Sequence, residues 1–300
     1  SCAGGAHGEV SFPASWQQER QPALLLELTG LTGGHSGTEI HKRRGNAIRL
    51  VAELLRGLPG DWSLAAFQGG SADNAIPSTA SALVSVRSGE GVEAFLEEKQ
   101  RQLAEAWGAT DPGLCLRWTW QPEEERPVME KAAGARLLCL IGELPDGPLQ
   151  FSRDMPDMVE LSSNLGVIRT EADGFHFVLA PRSARDEDKE QLKQRIRRLT
   201  EEAGASLTFQ GDYPGWPLRP DSRLQQLAAQ VYREQTGKEL VVEGIHAGLE
   251  CGIFSQKMPQ LDIVAFGPDI LDIHSTKERL SLSSAERVWN FLTEMLRRIF

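Results

Sequence analysis

The stretch QPALLLELTGLTGGHSGTEIHKRRGNAIRLVAELL, residues 21–55, changes its hydrophobic periodicity partway along. Its leucine-rich start, Gln21–Thr29, is typical of a strand, and the glycine-rich sequence that follows indicates a turn. Asn46 is a residue type that caps helices, and Ile48 and Val51 then lie on one helical face. The stretch therefore predicts a strand, a loop and an amphipathic helix.

The same alternation continues on the C-terminal side of this stretch. Further elements are expected at the strands Ser63–Phe67, Ser81–Arg87 and Leu114–Trp120 and the helix Val92–Trp107, which gives the order β-α-β-β-α-β. A second series comprises the helices Lys131–Leu144 and Asp186–Ala203 and the strands Val159–Thr170, Gly174–Ala180 and Ser206–Gln210. This order predicts an α+β region in which helices cover antiparallel sheets, and one interpretation is a duplicated unit.

The chain changes character after the turn-rich run Asp212–Pro217. Two short apolar runs, Leu240–Val242 and Leu261–Ala265, are typical of buried parallel strands. The segment that holds them is short for a complete α/β domain, so we expect it to need partner strands. The chain also opens on Ser1 rather than methionine, and we expect it to be a piece of a longer protein.

Composition limits the kind of protein and its partners. The chain has 300 residues, 40% of them apolar and 25% charged, which favours about two globular domains. A net charge of -10 argues against nucleic acid or an anionic membrane as a partner. There is no signal-peptide pattern and no apolar run of membrane-spanning length. The four cysteines form no CxxC pair, which favours reduced thiols in a cytoplasmic protein over a cysteine zinc site.

Three polar residues on turns or strand ends are candidates for chemistry. His35 in Gly33–Gly37 could donate a hydrogen bond to a developing oxyanion. Asn74 in Gly69–Pro77 offers an amide donor and acceptor. Arg182 ends a predicted strand, and its guanidinium suits a carboxylate. The structural alternatives are a tight turn with an exposed histidine, a turn-forming asparagine and a solvated surface charge.

Two more candidates follow the apolar runs near the C-terminus. Glu250 in Ile245–Gly252 could hold an ammonium group, since ligands bind at strand ends of α/β sheets. His246 and Cys251 could instead form a base and thiol nucleophile, or His246 could be an ordinary buried histidine. His274 follows the second run and is a candidate metal ligand, although one histidine does not make a metal site.

A set of motifs in a fixed order resembles bacterial aminoacylhistidine dipeptidases. The motifs are Leu31–Gly37, Arg44–Ala47, Asn74–Pro77, Ser162–Val167, Pro214–Trp216, Ile245–Gly252, Gly267–Pro268 and His274–Ser275. This family belongs to the zinc exopeptidases of the MH clan, with a catalytic α/β domain and an inserted lid. The resemblance implies hydrolysis of unblocked dipeptides, including Xaa-His, at a site with two zinc ions.

The resemblance also implies a division of the chain. Residues 1–22 would be a remnant of the N-terminal catalytic part and the hinge, 23–213 the lid, and 214–300 the C-terminal half of a parallel-sheet catalytic domain. A homodimer would form through the lid.

The resemblance implies a role for each candidate residue. His35 would be catalytic, and Asn74, Arg182 and Glu250 would contact the dipeptide. His274 would be the one zinc ligand, because the segments that carry the other ligands and the general base in the family have no counterpart here. We therefore expect an incomplete, inactive fragment. The alternatives are a non-catalytic binding or dimerisation module, and an N-acyl amino acid deacylase, against which Glu250 counts.

Overall fold

A computed structural model describes residues 1–153, 155–272 and 276–299 of the chain. Its strands are β1 (Gly4–Pro13), β2 (Trp16–Thr29), β3 (Gly34–His35), β4 (Asp61–Gly69), β5 (Ala75–Ile76), β6 (Ala80–Ser88), β7 (Cys115–Met129), β8 (Gly147–Phe151), β9 (Val159–Ser163), β10 (Leu165–Glu171), β11 (Gly174–Leu179), β12 (Arg182–Ser183), β13 (Ser206–Tyr213), β14 (Ile270–Leu271) and β15 (Arg279–Leu280). Its α-helices are α1 (Ala47–Gly57), α2 (Val92–Trp107), α3 (Lys131–Glu143), α4 (Asp186–Glu202), α5 (Arg223–Thr236), α6 (Glu250–Lys257) and α7 (Leu282–Ile299). None of the helices in these ranges is long and apolar enough to cross a membrane.

The stretch at residues 21–55 folds largely as its periodicity predicts. The Asn46 side chain accepts hydrogen bonds from the backbone N–H groups of Ile48 and Arg49, at 3.0 and 3.4 Å, and so caps α1. The strand is longer than expected, because β2 begins at Trp16. Its polar first half carries no apolar pattern, and it is a strand because β7 pairs with it over almost its whole length.

The large antiparallel sheet contains the β-α-β-β-α-β unit twice. One half of the sheet has the strand order β4-β6-β2-β7, and the other half has β10-β11-β1-β13, with β12, β9 and β8 continuing from the start of β1. The two halves meet where Ile168 of β10 pairs with Gly69 of β4. The second unit therefore runs β1, α3, β10, β11, α4, β13, and the whole first unit is inserted after its first strand.

This topology corrects the domain boundary expected at residue 22. Strand β1 lies inside the second unit, where Gly8 is opposite Leu179 on one side and Phe209 on the other. Val10 and Phe12 alternate into the core and are 1% and 2% exposed. Because such alternation buries one face of a strand against the core, residues 4–22 belong to the large sheet and not to a separate remnant or hinge.

One apolar cluster joins the sheet to the four helices α1 to α4. Leu24, Leu26 and Leu28 point from one face of β2 into this cluster, whereas Glu27 between them is partly exposed. Full burial of a leucine contributes roughly 1.5–3 kcal/mol. The cluster therefore fixes the strand registers that place the loops at the sheet ends.

The region after Trp216 contains α5, α6 and α7 and a smaller apolar cluster. The strands expected at Leu240–Val242 and Leu261–Ala265 are wrong, because neither segment is hydrogen-bonded into a ladder within the described ranges. Val241 is 74% exposed and Leu261 is 42% exposed. Parallel strands are stable when neighbouring elements cover them. Near these two segments the described bridges are isolated ones, in which Cys2 pairs with Trp216 and with Ile245.

Candidate functional site

A two-stranded ribbon brings two of the candidate residues side by side. His35 in β3 is opposite Ala75 in β5, and the backbone N–H of Ser36 donates to the carbonyl of Asn74 at 2.8 Å. Gly33 and Gly34 have φ angles of 62° and 130°, in the region that favours glycine. The two glycines therefore allow the turn that leads His35 into this ribbon.

The hydrogen bonds of His35 define which ring nitrogen carries the proton. Its Nδ1 accepts from the backbone N–H groups of Gly37 and Thr38, at 3.0 and 3.1 Å. A nitrogen that accepts hydrogen bonds is unprotonated, so the proton of the neutral ring is on Nε2. Burial, and then the nearby charge of Arg182, lowers the pKa of His35 below its usual value. His35 is therefore a neutral imidazole near pH 7 that can donate through Nε2.

The turn that carries Asn74 is held from behind by a buried side chain. Asn164 is 2% exposed, and its amide nitrogen donates to the carbonyls of Asp73 and Ala75, both at 2.9 Å. The side chain of Asn74 is exposed at the tip of the turn. Asn164 thus fixes the backbone on both sides of Asn74 and leaves its amide free to meet a ligand.

Arg182 reaches the same region from the second unit of the sheet. It lies in β12, opposite Ser162 of β9, and its Nη1 donates to the Tyr213 hydroxyl at 2.8 Å. Its Nε is buried and has no hydrogen-bond partner within the described ranges. An unpaired buried donor is costly, which makes this guanidinium a candidate for binding an anionic ligand.

His246 completes the cluster from the loop before α6. Its Nε2 is 2.7 Å from the Ser162 hydroxyl, and its backbone carbonyl lies close to Gly37, where a Cβ would be 2.4 Å away. Burial, and then the charge of Arg182, lowers the pKa of His246 to about 4. The Val159 carbonyl opposes this effect, although Nδ1 of His246 forms no hydrogen bond of good geometry with the described residues. Because the lowered pKa keeps His246 neutral, its ring can lie close to the positively charged Arg182 without repulsion.

Among the described residues, the structure does not bring the remaining candidates Glu250 and Cys251 into the cluster around His35. Glu250 is the exposed first residue of α6 and forms no hydrogen bond or ion pair with His35, Asn74 or Arg182 in the described part of the chain. His274 lies outside the described residues. Burial raises the pKa of the Cys251 thiol, and no hydrogen bond joins it to His246, which argues against a thiolate nucleophile.

Sequence reasoning missed two residues of this cluster. Tyr213 lies in a turn-rich boundary, and Ser162 lies in a predicted strand at the start of the Ser162–Val167 motif. Neither position has a local pattern that predicts a role in binding. Both are recognisable only from the pairings of β12 and β13, which join residues far apart in the sequence.

The residues around His35 do not fit a metal centre. Across residues 1–153, 155–272 and 276–299, the only group with ligand geometry is Glu171, Asp173 and His176, at the β10–β11 turn. Both carboxylates are exposed, and the His176 ring already contacts Asp173 at 2.8 Å and Ser11 at 3.1 Å. A two-metal hydrolytic centre needs more ligands than this turn supplies. The chemistry open to the cluster around His35 is therefore to bind, orient and polarise a ligand.

The duplicated α+β unit is followed by a smaller, mainly helical region, and both parts match models of peptidase families. The family described as "Peptidase family M20/M25/M40" matches residues 93–298, and the "Peptidase dimerisation domain" matches residues 26–111. The chain belongs to peptidase family M20/M25/M40. The resemblance to dipeptidases that the motifs indicate is confirmed.

Two relatives match almost all of this chain. It is 31% identical over 308 residues to the cytosol non-specific dipeptidase of Escherichia coli. This match covers 99% of this chain and 62% of that protein. The crystal structure of aminoacylhistidine dipeptidase from Vibrio alginolyticus superimposes with a TM-score of 0.93 at 30% identity, again over 99% of this chain and 62% of the other. The chain thus spans less than two thirds of the length of these relatives. The matches do not support the expectation of an inactive fragment.

Proposed function

We propose that the cluster of His35, Asn74 and Arg182 binds the substrate of a dipeptidase that hydrolyses unblocked dipeptides, including Xaa-His. The observation that carries the proposal is that a neutral imidazole donor lies within electrostatic reach of an arginine whose buried Nε has no hydrogen-bond partner among the described residues. A dipeptide has a carboxylate only a few bonds from its scissile carbonyl. One small ligand can therefore meet both groups.

His35 has the catalytic role in this proposal. Its Nε2–H would donate to the carbonyl oxygen of the scissile bond, where negative charge develops during hydrolysis. A neutral donor suits this role, because its proton is already on the nitrogen that faces away from Gly37 and Thr38. The low pKa keeps the imidazole in this form through the neutral range.

Arg182 and Asn74 orient the dipeptide. The guanidinium would form a charge-assisted pair with the C-terminal carboxylate, and such pairs give both energy and geometric specificity. The Asn74 amide extends from the turn next to His35 and would contact the peptide group. Holding a substrate at two or more points lowers the entropic part of the activation barrier.

Glu250 and His274 complete the proposal at the other end of the dipeptide. The Glu250 carboxylate would attract the free α-amine, which distinguishes unblocked dipeptides from N-acyl amino acids. Peptidases of this family generally depend on a metal, and we propose zinc as that metal and His274 as one ligand. Elemental analysis tests the proposed role of His274 as a zinc ligand, because His274→Ala should contain less zinc than the parent protein after dialysis.

Two measurements with three ligands test the proposed function. The ligands are Ala-His, N-acetyl-Ala-His and Ala-His amide. Calorimetric titration should show the tightest binding for Ala-His, and histidine release with added zinc should be seen for Ala-His but not for its acetylated form. Faster release from the acetylated dipeptide would favour a deacylase. Equal binding of all three ligands would contradict the proposal.

We also propose a homodimer in the cytoplasm. The proposal rests on the match to the peptidase dimerisation domain and on the cytosolic name of the E. coli relative. Light scattering during gel filtration should give twice the monomer mass of 33.0 kDa. A monomer at all concentrations tested would contradict the proposed homodimer. The two units of the large sheet would then pair only with each other, within one chain.

A further inference from the structure

Tyr213 is the one protein group that contacts the guanidinium of Arg182 by a hydrogen bond in the described part of the chain. Its hydroxyl accepts from Nη1 at 2.8 Å. This contact uses Nη1, which is not part of the edge formed by Nε and Nη2. The side-on edge, which presents Nε–H and an N–H of Nη2 in parallel, is therefore left for another partner.

The ring of Tyr213 is held between two glycines. A Cβ on Gly5 would be 2.7 Å from the Tyr213 hydroxyl oxygen, and a Cβ on Gly248 would be 2.8 Å from Cε2 of the ring. Such distances are shorter than side chains tolerate, so the ring lies directly against the backbone at both positions. Its plane, and with it the direction of the hydroxyl, has little freedom.

The backbone of Tyr213 is fixed as firmly as its ring. The ammonium group of Lys189, a residue that is 2% exposed, donates to the Tyr213 carbonyl at 2.6 Å and to Asp212 at 2.7 Å. Lys193 forms a second ion pair with Asp212. A buried ammonium group that keeps several partners ties α4 to the end of β13. Both ends of the Tyr213 residue are thus anchored independently of Arg182.

We propose that Tyr213 is a positioning residue that directs the Nε and Nη2 edge of Arg182 toward the carboxylate of the dipeptide. This rests on the proposed function. The hydroxyl acts only as an acceptor for Nη1, so it never needs to touch the substrate. With Nη1 held, the guanidinium cannot rotate to an end-on arrangement, and a carboxylate meets two parallel N–H groups.

The composition of the chain permits a direct test. It contains only two tyrosines, Tyr213 and Tyr232, so a chain labelled with 13C at tyrosine Cζ gives two signals. The Tyr213→Phe variant assigns them. Addition of Ala-His should shift the Tyr213 signal, because the carboxylate changes the charge on the guanidinium that it contacts, and should leave the Tyr232 signal in place. A Tyr213 signal that does not move while Ala-His binds would overturn the proposal.

Affinities separate a positioning role from a structural one. Tyr213→Phe should bind Ala-His at least about tenfold more weakly, the equivalent of one lost hydrogen bond to a charged group, and should bind Ala-His amide as the parent does. Tyr232→Phe, whose ring packs against Phe291, is the matched control and should bind both ligands normally. Equal weakening of both ligands would mean that Tyr213 only supports the fold, and the proposal would be wrong.

A second spectroscopic measurement reports on Arg182 directly. The Nε–H signal of Arg182, assigned with Arg182→Lys, should shift with Ala-His in the parent chain and shift less in Tyr213→Phe. If the parent chain does not prefer Ala-His over its amide, the proposed function fails. If it has that preference and Tyr213→Phe keeps it in full, only the role of Tyr213 is overturned.

Discussion

The Nδ1 atom of His35 lies 3.0 Å from the backbone nitrogen of Gly37 and accepts a hydrogen bond from its N–H group. This contact predicts that the neutral ring is protonated on Nε2 alone. Long-range 15N–1H spectra at pH 7 should therefore show an unprotonated Nδ1 and a protonated Nε2 for His35. His41, which is exposed, is the internal comparison. A spectrum with the proton on Nδ1 would remove the donor role of His35.

His246 predicts a loss of stability at mildly acidic pH. Its pKa is lowered to about 4 in the folded chain, against an ordinary value of 6.5. Between these values the unfolded chain binds a proton that the folded chain does not, so the free energy of unfolding falls as the pH is lowered through this window. The loss reaches about 3 kcal/mol at most.

Urea unfolding at pH 7.0 and 4.5 measures this effect. His246→Gln should lose clearly less stability between the two pH values than the parent chain, whatever its stability at pH 7. His41→Gln changes an exposed histidine and should follow the parent. If His246→Gln and the parent have the same pH dependence, the burial of a neutral His246 is not what makes the chain sensitive to acid.

Asn164→Ala should destabilise the chain through the Asn74 turn. The substitution leaves two carbonyls, those of Asp73 and Ala75, without their amide donor. We expect the free energy of unfolding to fall by about 2 kcal/mol. Asn290→Ala, at an exposed helical position, should change it by less than about 0.5 kcal/mol. Equal effects of the two substitutions would show that Asn164 does not hold the turn.

Much of the fold could be predicted from the sequence because local patterns decide it. The helix Val92–Trp107 begins and ends where its periodicity indicates, and Asn46 caps α1 as expected. The duplication is visible in the sequence as element order alone. What the sequence does not reveal is that β1 belongs to the second unit, because its partners β11 and β13 lie about 160 to 210 residues farther along the chain.

The site is less predictable than the fold. His35, Asn74 and Arg182 are recognisable because each lies on a turn or at a strand end, and the ribbon of β3 and β5 and the charge of Arg182 relate them in space. The contacts that support these residues are not recognisable in this way, although His246 is itself a candidate from the sequence. Asn164, Tyr213 and His246 act through contacts with residues at least 31 positions away, and apolar periodicity carries no information about such contacts.

The central claim is the preference of Arg182 for a carboxylate, and calorimetry tests it most directly. The parent chain should bind Ala-His more tightly than Ala-His amide, and Arg182→Lys should reduce that preference about tenfold, because an ammonium group cannot form the two parallel hydrogen bonds of a guanidinium. Arg185→Lys, three residues away in an ion pair with Glu160, should keep the parent's preference. An Arg182→Lys chain that still prefers Ala-His over its amide as strongly as the parent would contradict the claim.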